Sequence, residues 1–252
     1  MKRALLVGIN KYQQPGSNLS GCLNDVAFMQ THINKYGFKE MQTLLNSQAT
    51  KNNILDTLTT LIDNSEAGDK ILYYHSGHGT RVVDTSGDES DSLDECLVAY
   101  DHDWDAPLSD DLMEKAINGL HPKARLYLII DTCHSGTITT IMPGSKIKSI
   151  PMPPEMQKYA LKKELKLKRD ADPRKLNHIL LSGCKPNEYS YEIAINNKIR
   201  GLMTWAFIET TQQSKSWEKT IKDVKKHVAT QQPGQHPLLA GKPALRKEII
   251  FK

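Results

Sequence analysis

The sequence predicts an α/β domain with a mostly parallel, six-stranded sheet and helices on both faces. Three observations carry that expectation. Short apolar runs bounded by turn residues recur along the chain, amphipathic helical stretches lie between them, and the connections are long enough for crossovers. The predicted strands are residues 4–9, 41–45, 70–75, 125–131, 178–182 and 244–246. Residues 4–9, Ala-Leu-Leu-Val-Gly-Ile, form a continuous apolar run suited to a strand buried on both faces. Helices are expected over 24–36 and 51–62, after the first two strands. Another is expected over 110–119, before the fourth, and two more over 202–212 and 217–230, after the fifth. Two connections exceed a simple turn: residues 81–109, rich in Asp and Glu, and residues 137–176, basic and broken by Pro143, Pro151, Pro153, Pro154 and Pro173. Residues 155–168 could still form a helix within the second.

At 252 residues with 38% hydrophobic content, a single domain spanning residues 1–252 suffices to bury one core. No stretch of about 18 apolar residues is present, so no membrane span is expected. The start, Met1-Lys2-Arg3, leads directly into the first strand without an export signal or cleavage site, which points to the cytoplasm. The four cysteines form no CxxC pair, so free thiols are expected rather than a zinc or redox motif. Basicity is local: residues 146–175 hold ten Lys and Arg against four Asp and Glu, while the whole chain carries only +4. Tyr159 is the one aromatic in that stretch, so base stacking has little to work with and nucleic-acid binding is not expected.

Two predicted strands run into chemically loaded turns, His75-Ser76-Gly77-His78-Gly79 and Asp131-Thr132-Cys133-His134-Ser135-Gly136. In an open parallel sheet, sites form where loops converge at the carboxyl ends of neighbouring strands. A nucleophilic thiol needs an imidazole to take its proton and later protonate the leaving amine, and His78 suits that role for Cys133. Gly77, Gly79 and Gly136 leave room for a substrate backbone, and the Gly79 and Cys133 amides are the candidate donors to an oxyanion. A lone His or Cys is more often a core residue; the joint pattern favours a site.

With these turns the chain resembles the metacaspases, caspase-like proteases whose catalytic turns read Ser-Gly-His-Gly and Asp-x-Cys-His-Ser-Gly. The resemblance extends through Gly8-Ile9-Asn10, Gly21-Cys22-Leu23-Asn24-Asp25, Asp94-Glu95-Cys96, Leu181-Ser182-Gly183-Cys184 and Leu202-Met203-Thr204-Trp205-Ala206-Phe207. It implies a caspase-like fold and cysteine endopeptidase activity with His78 and Cys133 as dyad. It implies hydrolysis through a thioacyl intermediate, protein or peptide substrates, and a monomer. The implied S1 lining is Cys22, Asp25, Ser76 and Asp131, where two carboxylates suit Arg or Lys at P1, the residue whose carbonyl is attacked. Asn187-Glu188-Tyr189-Ser190 departs from the Gln-Thr-Ser-Ala-Asp-like stretch of many relatives.

The carboxylates of residues 84–111 suit calcium by their hard oxygens, although the spacing is not that of an EF-hand. The resemblance implies Asp94, Asp110 and Asp111 as ligands; a fourth position falls near Thr140, which is not a carboxylate. The plainer reading is a solvated acidic loop with Asp110 capping the next helix. In the basic connection, Lys146, Lys148, Lys162, Lys163, Lys168 and Arg169 are candidate self-cleavage positions; the alternative is a lid or a docking surface for an acidic partner. Rival functions are a catalytically silent caspase-like interaction module and a caspase-fold protease with another P1 choice.

Overall fold

The structure, a computed structural model, describes residues 1–83, 93–134, 145–156, 172 and 174–252. Its strands are β1 (Lys2–Gly8), β2 (Glu40–Leu45), β3 (Lys70–Ser76), β4 (Gly79–Val83), β5 (Leu93–Leu97), β6 (Leu108–Ser109), β7 (Arg125–Asp131), β8 (Lys146–Ile147), β9 (Ile179–Ser182), β10 (Tyr191–Ile195), β11 (Lys198–Gly201) and β12 (Leu238–Ala240). Among the helices are α1 (Cys22–Asn34), α2 (Lys51–Asp63), α3 (Asp110–Ile117), α4 (Leu202–Thr210), α5 (Trp217–Ala229) and α6 (Pro243–Lys247).

The central sheet has the order β12-β9-β7-β3-β1-β2, parallel except for β12. Alternation along each strand divides the core into two layers. Ala4, Leu6, Leu72 and Tyr74 pack with Val26, Met29, Phe207 and Trp217 of α1, α4 and α5. Leu5, Val7, Ile71 and Tyr73 pack with Ile54, Leu58 and Met113 of α2 and α3 on the other face. The expected sheet, with helices on both faces, is therefore present. Three helices start on side-chain caps, Thr50, Ser109 and Ser216, each hydroxyl accepting an amide three residues on.

The sixth strand differs from expectation. Residues 244–246 lie in α6, with Pro243 at its start, and the sheet is completed instead by Leu238–Ala240, antiparallel to β9. Three apolar-rich residues are too few for periodicity to separate helix from strand. The long connections also hold structure. Parts of 81–109 build the antiparallel sheet β4-β5-β6, and residues 146–147 join β10 and β11 in another. β10 and β11 form a two-residue hairpin in which Asn196 and Asn197 take positive φ, 49° and 60°, the turn that matches strand twist and that Asn tolerates. Most of the helix considered over 155–168 falls outside the described residues.

Register fixes where a site can form. Gly8 pairs with Ser76 and Ser76 with Asp131, so β1, β3 and β7 end level and the loops after them converge. The fully buried Leu6 lies at the centre of one layer. Leu6→Ala is expected to cost about 3 kcal/mol, read as a lowered urea midpoint at unchanged m-value.

Candidate active site

His78 follows β3 and Cys133 follows β7, and both are buried. The His78 amide donates to the Tyr12 hydroxyl at 2.8 Å, and the two rings lie 5.0 Å apart. Its Nε2 stands 2.8 Å from the Ser17 carbonyl, an acceptor only, so Nε2 carries the ring proton. Nδ1 is left buried with no hydrogen bond of standard geometry. Burial, helped by the Lys148 and Lys146 charges and opposed by the Ser17 contact, lowers the His78 pKa to about 4. The imidazole is thus neutral near pH 7, with one nitrogen free to accept a proton. The Cys133 Sγ lies 3.8 Å from the Ser190 carbonyl. Cys184 adjoins it; a hydrogen bond between the two thiols, then burial, holds the Cys184 pKa well above its ordinary value.

Beside this pair lies a closed polar pocket filled by one of the chain's own lysines. Lys148 is 0% exposed. Its Nζ lies 2.9 Å from Ser76 Oγ, 3.3 Å from Asp25 Oδ2 and 3.1 Å from Asp131 Oδ2. Burial alone would strip the charge from this ammonium, but Asp131 and Asp25 outweigh it and hold the pKa above the ordinary lysine range. Burial, together with the neighbouring Asp131, raises the Asp25 pKa although Lys148 opposes the rise. Burial pushes the Cys22 thiol up to about 12.

Further donors surround the two carboxylates. Gly201 N–H donates to both Asp25 oxygens at 2.9 and 3.0 Å, and Ser76 Oγ to Asp25 at 2.7 Å. Asp131 receives the Ser190 hydroxyl at 2.7 Å, the Thr204 hydroxyl at 2.7 Å and the Thr204 amide at 3.2 Å. That amide belongs to the first turn of α4, so the positive end of the helix faces a carboxylate. A Cβ at Gly201 would collide with Asp131, Lys148 and Asp25, so the pocket exists only because this residue has no side chain.

The Lys148 backbone is held as firmly as its ammonium. Its carbonyl accepts from the Gly79 amide and the Cys133 amide, both at 3.0 Å, and its N–H donates to the Ser190 carbonyl at 2.9 Å. A Cβ on Gly79 would stand 2.5 Å from the Cys133 carbonyl oxygen, closer than any real contact allows, so only glycine brings this amide to the same oxygen.

The structure thus brings together His78, Gly79, Cys133, Cys22, Asp25, Ser76 and Asp131 of the expected site, with Lys148. Gly136 and Thr140 lie outside the described residues, as do the proposed cleavage positions Lys162, Lys163, Lys168 and Arg169. Lys146 is exposed, its ammonium 3.0 Å from the Asn18 carbonyl, and does not enter the pocket. The acidic candidates lie elsewhere, on β5 (Asp94) and at the start of α3 (Asp110, Asp111). The cap of α3 is Ser109, not Asp110, since the Ser109 hydroxyl accepts the Leu112 amide. Burial and the nearby Glu95 raise the Asp110 pKa to about 6. Among the described residues, no three His, Cys, Asp or Glu side chains converge as a metal site.

Four residues of this arrangement were not singled out by their chemistry in the sequence: Ser190, Gly201, Thr204 and Glu192. The buried Glu192 carboxylate accepts the amides of Ser20 at 2.9 Å and Gly21 at 2.7 Å, fixing the turn that delivers Cys22 and Asp25. A glycine directly before an apolar helix was a usable signal, because helix N-termini present amides to anions.

Residues 2–142 match the family model described as Metacaspase, peptidase C14 domain. The chain belongs to the metacaspase family. Metacaspase-1A of Aspergillus terreus is 28% identical over 294 residues, covering 99% of this chain and 72% of that protein. Metacaspase-1 of Ajellomyces capsulatus is likewise 28% identical, covering 99% of this chain and 82% of its own. A crystallised protein from Geobacter sulfurreducens superposes with TM-score 0.73 at 24% identity over 100% of this chain and 98% of that one, which bears on fold alone. This metacaspase is accordingly a caspase-like cysteine peptidase acting on protein substrates. Among the described residues no helix is long and apolar enough to cross a membrane.

The buried triad has a pH signature. With Lys148 replaced, Asp25 faces Asp131 without the ammonium that opposed the rise, and its folded-state pKa rises further. A carboxylate whose folded pKa is raised costs stability above that pKa and is relieved as pH falls toward the unfolded value near 4. In a Cys133→Ala background, Lys148→Met is expected to lose about 3 kcal/mol at pH 8 and distinctly less at pH 5, measured by urea unfolding. An equal loss at both would mean the carboxylates do not carry it.

Proposed function

We propose that this metacaspase is an endopeptidase that cuts after Arg and Lys, with Cys133 as nucleophile and His78 as base. One observation carries the reading. Lys148 has its ammonium between Asp25, Asp131 and Ser76 while its carbonyl accepts the Gly79 and Cys133 amides, so one residue spans a cation pocket and an oxyanion site. On this reading His78 Nδ1 takes the Cys133 thiol proton as sulfur attacks the P1 carbonyl carbon. The oxyanion is held by the two amides. Collapse breaks the C–N bond, and the imidazolium returns its proton to the leaving amine. The thioacyl carbon is then attacked by water, His78 again taking the proton, which releases a carboxylate and the thiol.

The same pose makes the Lys148–Ser149 bond the first substrate, and self-cleavage there empties the pocket. Calcium enters on narrower ground: Asp110 is crowded by Glu95, and a hard cation there would relieve that repulsion. No step above is routed through it. A monomer is the expected unit, because the edge strand β12 has only three residues to offer a second copy.

Peptidyl coumarin amides ending in Arg, Lys, Asp or Ala test the specificity. Arg and Lys are expected to exceed Asp by at least about 100-fold in kcat/KM, since a buried Asp side chain would meet two carboxylates unpaired; a preference for Asp overturns the assignment. Cys133→Ala should abolish turnover. Intact-mass analysis should find the wild-type chain split after Lys148 and the Cys133→Ala chain whole; identical fragments from both would mean that another protease cuts. Turnover unchanged by excess chelator removes calcium from the account.

A further inference from the structure

The chain beyond the Lys148–Ser149 bond is bound as definitely as Lys148 itself. Ser149 is bridged in parallel to Gly79, at the start of β4, and β4 is an edge strand of its sheet. The Ile150 amide donates to the Gly79 carbonyl at 3.0 Å, and the buried Thr80 hydroxyl donates to the Ile150 carbonyl at 2.7 Å. Thr80 is steadied in turn by His134, whose Nδ1 lies 3.2 Å from the Thr80 carbonyl.

From Ile150 on, burial follows the two-residue period of an extended chain, while Ser149 is as partly buried as Ile150. Lys148 is buried, Ile150 packs partly buried against the second core layer, and Met152 is buried at 7% exposure, while Pro151 between them is exposed. Pro151 lacks an N–H, and in this alternation its nitrogen falls on the outward side, where no strand partner is required. Upstream of Lys148 the pattern is weaker: Lys146 is exposed and Ile147 partly so.

We propose that this metacaspase reads substrates on both sides of the cut, and that the β4 edge forms a primed-side subsite selecting an aliphatic residue two positions after the cleaved bond. The preferred substrate is then a segment reading basic, any, aliphatic, any, aliphatic, with cleavage after the first residue. Thr80 is the positioning residue of that subsite, because its hydroxyl holds the backbone carbonyl of the aliphatic position. This is recognition by strand addition: main-chain hydrogen bonds hold the peptide, and alternate side chains choose it. The inference rests on the P1 reading above and extends it.

Three probes separate the two: an internally quenched peptide Lys-Ile-Lys-Ser-Ile-Pro-Met, the same peptide with Asp in place of the second Ile, and a coumarin amide ending at Lys-Ile-Lys. The full-length enzyme is expected to cleave the first peptide at least about tenfold better in kcat/KM than the second, the size expected from losing an apolar subsite. Thr80→Val should lower the ratio of peptide to amide turnover several-fold, and Thr80→Ser, which keeps the hydroxyl, should restore it. An enzyme that hydrolyses the amide yet cuts both peptides alike overturns this subsite alone. One that hydrolyses none of the three overturns the P1 reading with it.

Discussion

One buried arrangement of charge governs the structure: an ammonium between two carboxylates, all three closed off from the surface. Asp25 and Asp131 side chains and that of Lys148 are all 0% exposed. Two anions against one cation leave an excess negative charge that burial would make intolerable if nothing else faced it. The fold answers with oriented dipoles: the Gly201 amide, the Ser76, Ser190 and Thr204 hydroxyls, and the first turn of α4. These donors come from β3, β11, α4 and the loop before β10, so the charges are satisfied only where those elements meet.

Strand register explains how such distant segments arrive together. β3 and β7 end level, setting Ser76 beside Asp131, and the chain then turns out of the sheet on each strand to present His78 and Cys133. The Asn196-Asn197 hairpin brings Gly201 in from the other side, with a missing side chain that leaves space for the ammonium. Ser76 and Asp131 stand at the strand ends just before the Gly79 and Cys133 amides, so the residue whose ammonium fills the pocket has its carbonyl on those amides.

Much of this was legible in the sequence, and the failures have physical reasons. Five of the six central strands were marked by long apolar or β-branched runs; the sixth prediction rested on three residues and fell in a helix opened by Pro243. His78, Cys133 and Asp131 stood out because their types sit in loaded turns, and Asp25 was named through the resemblance alone. Ser190, Thr204 and Glu192 did not, since a lone hydroxyl or carboxylate in a loop, helix or strand reads as ordinary solvated surface until folding buries it against a partner. Lys148 was visible as one basic residue among many; its neighbour Lys146, two positions away, is exposed, and only coordinates distinguish them.

Because the cation that fills the pocket is covalently part of the same chain, a peptide that competes for the pocket, as proposed above, would meet a tethered rival. A tethered group acts at an effective concentration on the order of millimolar. A tethered segment with micromolar intrinsic affinity would then weaken the binding of any free ligand roughly a thousandfold. On the proposed reading the lodged lysine would thus set a threshold on occupancy, one that severing the tether would remove.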